Sequence, residues 1–244
     1  MTAEFWTLWG LVTIALWVHH PLSLTIARCI APVITMHLFV GIGDAESKAL
    51  AIASATCALL ACLIILAADY GAIHVQAGAY GDEQRYLLRV PVPLIVPVGL
   101  AYLLLIVAVA FTPLWFAAGN WILGGVGLVV SAVALWKVAP RIHQLSRRWL
   151  VFVPAGVVVH DPVMLSEVLM LRRNEVQSIM LAPADTQAAD FTGYTRGVPL
   201  EVQLRGFTDV RLTPFAARLL RTTDAFHVRA FLIAPSLPTR VLAK

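Results

Sequence analysis

Residues 115–136, WFAAGNWILGGVGLVVSAVALW, run straight into residues 137–148, KVAPRIHQLSRR. The first stretch carries no charge over about 20 residues, the length of helix that a hydrocarbon core demands because backbone amides cannot be left unpaired in lipid. The second crowds Lys137, Arg141, Arg147 and Arg148 just beyond the end of that run. Basic residues flanking a span resist translocation, so the chain beyond Arg148 is expected on the cytoplasmic side. The chain therefore reads as a membrane anchor with one soluble domain behind it.

Working back toward the N-terminus, residues 93–112 and 47–68 are also long enough and apolar enough to cross. Alternation then puts the neutral 112–120 turn outside, the 69–89 loop with Arg85 and Arg89 inside, and the GIGDAE turn at 41–46 outside. Residues 5–18 form a further apolar run. It lacks the basic flank and the small-residue cleavage site of a signal peptide, so it is expected to be retained. Residues 22–40 are apolar but contain Arg28, Pro32 and His37. Charge bias favours a fifth span there, with Arg28 near the cytoplasm. The short link His19-His20-Pro21 favours four, with 22–40 lying flat on the outer face. The expectation is an α-helical bundle of four spans, five being left open, over residues 1–140, with a second domain over residues 145–244.

Composition excludes an ordinary soluble domain: 59% of residues are hydrophobic and only 13% charged. Charge is also unevenly shared. Residues 137–244 hold 14 basic and 8 acidic side chains, leaving 4 and 6 for residues 1–136. Cys29, Cys57 and Cys62 lie in apolar runs without a CxxC spacing, so they read as packing residues and neither a disulfide framework nor a thiolate metal site is expected.

Helices in lipid associate through close backbone approach at small residues. Ala51, Ala55 and Ala58 form such a stripe in the 47–68 run, and Gly127 and Ser131 in the last run. They are expected at helix-packing or partner contacts. Pro97 should kink the 93–112 run near its end, where a lost donor is tolerated.

After Arg148 the pattern becomes strand-like. Residues 149–153, WLVFV, and 157–160, VVVH, flank the turn Pro154-Ala155-Gly156 and read as a hairpin. Further short runs at 167–171, 176–181, 200–204, 210–213 and 227–233 suggest a small antiparallel barrel or sandwich, and 215–221 a helical turn or two. The hairpin string RWLVFVPAGVVVHDP at 148–162 resembles the opening hairpin of the PH-like domain of multi-span actinobacterial membrane proteins. The later FLIAPS at 231–236 is similar to the closing strand of that domain. The resemblance covers about residues 145–244 and implies a mainly-β PH-like barrel; these are turn-and-strand patterns and imply no activity. In size and layout the chain also resembles the lipid-uptake coordinator subunits that accompany Mce lipid importers.

No P-loop, GxSxG elbow, HExxH or GxGxxG after a strand occurs, so an ATPase or a Rossmann oxidoreductase is not expected, and no cofactor is implied. The histidines show no shared ligand spacing. Asp44 and Glu46 read as a solvated turn, with Asp44 or Ser47 capping the next helix. A basic cytoplasmic tail attracts anionic headgroups at about 1 kcal/mol per residue near the surface, and Arg141, Arg147, Arg148, Arg172 and Arg173 are the expected contributors. Nucleic acid is not an expected partner, because aromatics are not interleaved with the basic residues. Spans without clustered ionisable groups point away from a stand-alone transporter or enzyme. The expected role is a non-enzymatic accessory or stabilising subunit of a larger membrane complex, a transporter permease or envelope-assembly machinery, in the plasma membrane. Envelope lipid transport is the setting that the resemblance implies.

Overall fold

The computed structural model describes residues 3–243, which form two compact units. One holds the residues up to His74 together with Pro97–His143; the other holds Val75–Val96 together with the chain from Gln144 on.

The helical unit begins with α1 (Ala3–Trp17), whose apolar stretch from Trp6 to Trp17 is too short to cross a membrane. Four helices are long and apolar enough to do so: α2 (Pro21–Val40), α3 (Lys48–Leu66), α5 (Val92–Ala117) and α6 (Trp121–Ser146). Between them α4 (Ala68–Ala77) follows α3. Four helices of spanning length among the described residues equal the expected number of spans, but the first of them is α2 and not the 5–18 run. The reason lies at the helix start. Pro21 suits the first turn, where its missing N–H costs nothing, and the His20 Nδ1 accepts the Leu22 N–H at 3.1 Å. Far from lying flat on the outside, α2 is the most enclosed helix, with 44% of its apolar window buried against 17–22% for the other three. Ala27, Ala31 and Ile34 pack with Val12 and Ala15 of α1 and Cys62 and Ile65 of α3. Val33 packs with Ile106 and Ala110 of α5.

Ser47 caps α3, its Oγ accepting the Leu50 N–H at 3.4 Å. Helix α5 runs through Pro97 and also through Pro113, to Ala117, so the expected 112–120 turn shrinks to residues 118–120. Proline removes a donor, yet unwinding the chain in hydrocarbon would expose several. Gly119, at φ +73, makes the reversal, and the Asn120 Oδ1 accepts the Leu123 N–H at 3.2 Å to start α6.

The other unit is built on two four-stranded sheets. The first has the order β1 (Gln84–Leu87), β2 (Trp149–Val153), β3 (Gly156–His160), β4 (Leu169–Arg172), antiparallel throughout. The second contains β5 (Val176–Leu181), β6 (Ala189–Asp190), β7 (Leu200–Arg211) and β8 (Ala225–Ile233) in the order β5-β7-β8-β6, with β6 parallel to β8. Short helices α7 (Pro214–Leu220) and α8 (Pro238–Leu242) complete it. The hairpin predicted around Pro154-Ala155 is present. The runs 200–204 and 210–213 prove to be one long strand, β7, bulged between Gln203 and Thr208.

Both sheets contribute to a single core, Leu150, Val159 and Leu171 from the first meeting Val202, Phe231 and Ile233 from the second. That is a sandwich arrangement. The closed barrel is not found among the described residues. Nor is the unit the contiguous 145–244 segment expected: residues read as the 69–89 loop supply β1. Beyond β1 the segment is paired on both sides, Leu88 N–H donating to Arg148 O at 2.9 Å while Arg89 N–H donates to Ala234 O at 2.8 Å. Ser236 N–H returns a bond to Leu87 O at 2.7 Å.

Candidate functional site

The β1 insertion is fixed by a charge that the sequence placed at the surface. Arg148 follows α6 and opens β2, and its side chain is 1% exposed, against 2% for Asp161 just after β3. Its Nε donates to Asp161 Oδ1 at 2.8 Å and its Nη2 to Asp161 Oδ2 at 2.7 Å, a two-pronged pair of the kind only a planar guanidinium makes. The Nη1 donates to the backbone oxygen of Arg89. Asp161 Oδ1 also accepts from the Val163 and Met164 N–H groups at 3.1 and 3.2 Å. Every arm of the ion pair therefore ends on a backbone or a charge, and one of them holds the segment that leads into α5.

Beside this node Leu87, Trp149 and His160 stand in register across β1, β2 and β3. The Trp149 and His160 rings stack at 5.3 Å between centroids, and the Arg85 guanidinium lies 5.0 Å from the Trp149 ring centre. Arg85 is also bound by Glu83 at 2.7 Å, which holds the Glu83 carboxyl below its ordinary range. This is the end of the sheet from which α6 arrives and toward which α5 departs.

Arg148 is thus removed from the anionic-lipid set: buried and paired, it cannot meet a headgroup. Arg141 and Arg147 are exposed, on the last turns of α6 and just past its end. Arg172 and Arg173 are exposed too, but at the opposite end of the hairpin, Arg172 facing Gly156 and Arg173 N–H donating to Ala155 O at 2.9 Å. The five-residue length of β2 separates them from the α6 end by about 17 Å. The structure does not bring the five arginines together.

Ala55 is fully buried, and Ala51 and Ala58 are half-buried. The Thr35 hydroxyl of α2 donates to Ala58 O at 3.3 Å, so the stripe faces α2. A Cβ on Gly127 would stand 2.6 Å from Thr112 Oγ1 and 2.8 Å from the Trp115 ring, and Ser131 Oγ lies 3.2 Å from Thr112 Oγ1. That stripe faces α5.

Sequence reasoning missed a polar group inside the helical unit. Arg28 of α2 donates from Nε to Ile65 O at 3.2 Å and from Nη2 to Ala67 O at 3.4 Å, closing the end of α3. The Tyr102 hydroxyl of α5 donates to Arg28 O. Nearby, the fully buried ring of His74 of α4 lies tilted against those of His19 and Tyr70, with centroids 5.1 and 4.4 Å away. Its Nδ1 donates to Tyr70 O at 3.2 Å, which leaves Nε2 as the acceptor; neither Nε2 nor the Tyr70 hydroxyl has a hydrogen-bond partner among the described residues. Burial pushes the His74 pKa down, partly opposed by the Tyr70 carbonyl and reinforced by His19, and burial pushes the Tyr70 phenol up despite Arg28. The spacing of His74 from Tyr70, one helical turn, was readable; the meeting with Arg28 and His19 was not. No group of three or more His, Cys, Asp or Glu side chains stands close enough to hold a metal among the described residues.

Two of the open grooves of the β unit are of several hundred Å³. One, of about 670 Å³, has a polar floor on β7, where Glu201 accepts from Thr186 at 2.5 Å and Gln203 at 2.8 Å. The other, of about 450 Å³, lies among Phe152, Val157, Val176, Ile179 and Val241. No family model matches the chain, and neither a curated protein nor a solved structure is significantly similar to it.

Proposed function

We propose that this chain is a non-enzymatic accessory or stabilising subunit of a larger membrane complex, acting in envelope lipid transport. The observation that carries the reading is the two-part construction of the β unit. It takes one strand from the segment before α5 and the rest from the chain after α6, with the Arg148–Asp161 pair closing the seam. A domain assembled from the chain on both sides of α5 and α6 suits an anchored subunit that meets a larger assembly rather than one that turns over a substrate. The likeness of residues 145–244 to PH-like domains, and of the layout to lipid-uptake coordinator subunits, supports the setting.

In this reading the β unit is cytoplasmic in the plasma membrane, because Lys137, Arg141 and Arg147 flank the end of α6. The strand pairing of β1 with β2 supports a common side for the 75–96 segment and the tail. Exposed Asn174, changed to Cys in a background without the native cysteines, tests this: an impermeant thiol reagent should label it only after the cells are opened, and labelling of intact cells would refute the orientation. For the role itself, purification from native membranes in mild detergent should bring larger membrane proteins along, and deletion should lower lipid uptake. A lone monomer, with lipid uptake and envelope composition unchanged by deletion, would refute it.

One observation favours the second reading, a stand-alone small transporter or enzyme: the Arg28, His74 and Tyr70 group, with two hydrogen-bonding atoms left without partners among the described residues. Under that reading a His74→Phe change abolishes activity in purified protein; under the accessory reading it alters stability alone.

A further inference from the structure

We propose that the 190–198 loop is a membrane-surface contact that receives anionic phospholipid headgroups, with Arg89 and Arg196 meeting phosphate and Tyr194 and Val198 seated in the interface. The inference rests on the reading that α5 spans the membrane and that anionic lipid is a partner, and it assigns that partner to residues the composition did not single out.

Position comes first. Helix α5 has 26 residues and is about 39 Å long, close to the thickness of a bilayer with its headgroup layers, so its first residue, Val92, belongs at headgroup depth. The loop is bound to that point. Val92 N–H donates to Gly193 O at 3.0 Å, Thr195 Oγ1 donates to Val90 O at 3.4 Å, and Arg89 Nη1 donates to Arg196 O at 2.7 Å. At Gly193, with φ +68, a Cβ would stand 2.6 Å from Pro91 Cβ, so the close approach itself calls for glycine, while Gly197 holds φ +93 beside the Arg89 guanidinium.

Chemistry comes second. Asp190 organises the loop from within, accepting from Thr192 N–H and Oγ1 and from Tyr194 N–H, so its charge is spent internally. Tyr194 and Val198 face outward, each 56% exposed, with exposed Arg196 between them. Tyr194 holds φ +60, a conformation that is strained for a bulky side chain and persists only where the surroundings impose it. Its hydroxyl reaches Leu219 O at 3.4 Å, leaving the ring face open. An aromatic with a wet tip, an aliphatic side chain and two guanidinium groups at the foot of a span match the headgroup layer, where aromatic rings partition and basic residues pair with phosphate.

The test uses the full chain reconstituted in phosphatidylcholine vesicles with and without phosphatidylglycerol. A spin label on Val198→Cys, in a background without native cysteines, should collide with oxygen more than with a water-soluble nickel complex, while a label on Asn174→Cys reports water. Arg196→Gln should weaken phosphatidylglycerol retention by the purified protein about fivefold without changing its protease resistance. A Val198 label as open to the nickel complex as the Asn174 label overturns the proposal, as does equal retention of the two lipids by wild type. A Val198 label shielded from both quenchers in the native complex would assign the loop to a protein partner and overturn it as well. Co-purification of larger membrane proteins is read separately, so failure here leaves the accessory role standing.

Discussion

Changing Asp161 to Asn isolates what the buried ion pair contributes. The amide oxygen can still accept from the Val163 and Met164 N–H groups, so the turn after β3 keeps its bonds while the Arg148 guanidinium, 1% exposed, loses its counter-charge. Leaving one buried charge unpaired costs about 3–5 kcal/mol. The loss should fall on the seam, because the same guanidinium also holds Arg89 O, and Leu88 N–H bonds to Arg148 O. Hydrogen exchange of the 84–90 amides in the full-length protein reads it directly. At 3 kcal/mol or more the exchange should speed up by roughly 100-fold or more. Arg148→Met should be milder, since it removes the charge and leaves a hydrogen-bonded carboxylate free to protonate. The double variant should be less destabilised than the sum of the two by about 2 kcal/mol or more. If Asp161→Asn exchanges at 84–90 within about fivefold of wild type, the ion pair does not hold β1.

Replacing Ala55 by Leu should cost about 1–3 kcal/mol by overpacking the fully buried α2–α3 contact, whereas Leu60→Ile, at a position 56% exposed, should be nearly silent; thermal unfolding in detergent compares them, and equal tolerance would place the stripe on the lipid side. His74 is buried as the neutral imidazole with its pKa lowered from 6.5, so the unfolded chain binds its proton more readily than the folded one. Its contribution is intact above about pH 6.5 and is lost as pH falls toward the folded pKa, at no more than about 1.4 kcal/mol per pH unit. Melting temperatures in detergent should therefore drop more steeply with acid in wild type than in His74→Phe, and parallel curves would contradict the assignment.

The helices were legible because hydrocarbon imposes one rule that a sequence cannot evade: about 20 apolar residues per crossing. Of the small residues singled out in the sequence, Ala55 is buried and Gly127 stands where a Cβ would meet the Thr112 and Trp115 side chains. The choice between residues 5–18 and 22–40 failed, because the short link His19-His20-Pro21 was weighed above the charge bias, which favoured a span at 22–40. Local pattern cannot see that Arg28 finds Ile65 O and Ala67 O at the end of α3. The guanidinium keeps its charge, but its donors end on carbonyls instead of being left without acceptors.

The same blindness explains the β unit. Strands β2 and β3 announce themselves as a hairpin across a two-residue turn, and local pattern suffices. β1 is four residues, QRYL, separated from its partner strand by two membrane spans, and its alternation is too short to distinguish from loop. The one sequence signal available was Arg148, read as a surface charge because it stands in a basic cluster. Asp161, thirteen residues on, closes the same hairpin string. Taken together, an Arg at the start of one strand of a hairpin and an Asp at the end of the other lie at the same end of the sheet, and two such charges facing a core must be paired. A paired guanidinium with one nitrogen to spare then calls for an acceptor from outside the hairpin, and Arg89 O supplies it. That donor ties the β1 segment to the hairpin, and the 190–198 loop is bonded to the same segment through Arg89, Val90 and Val92.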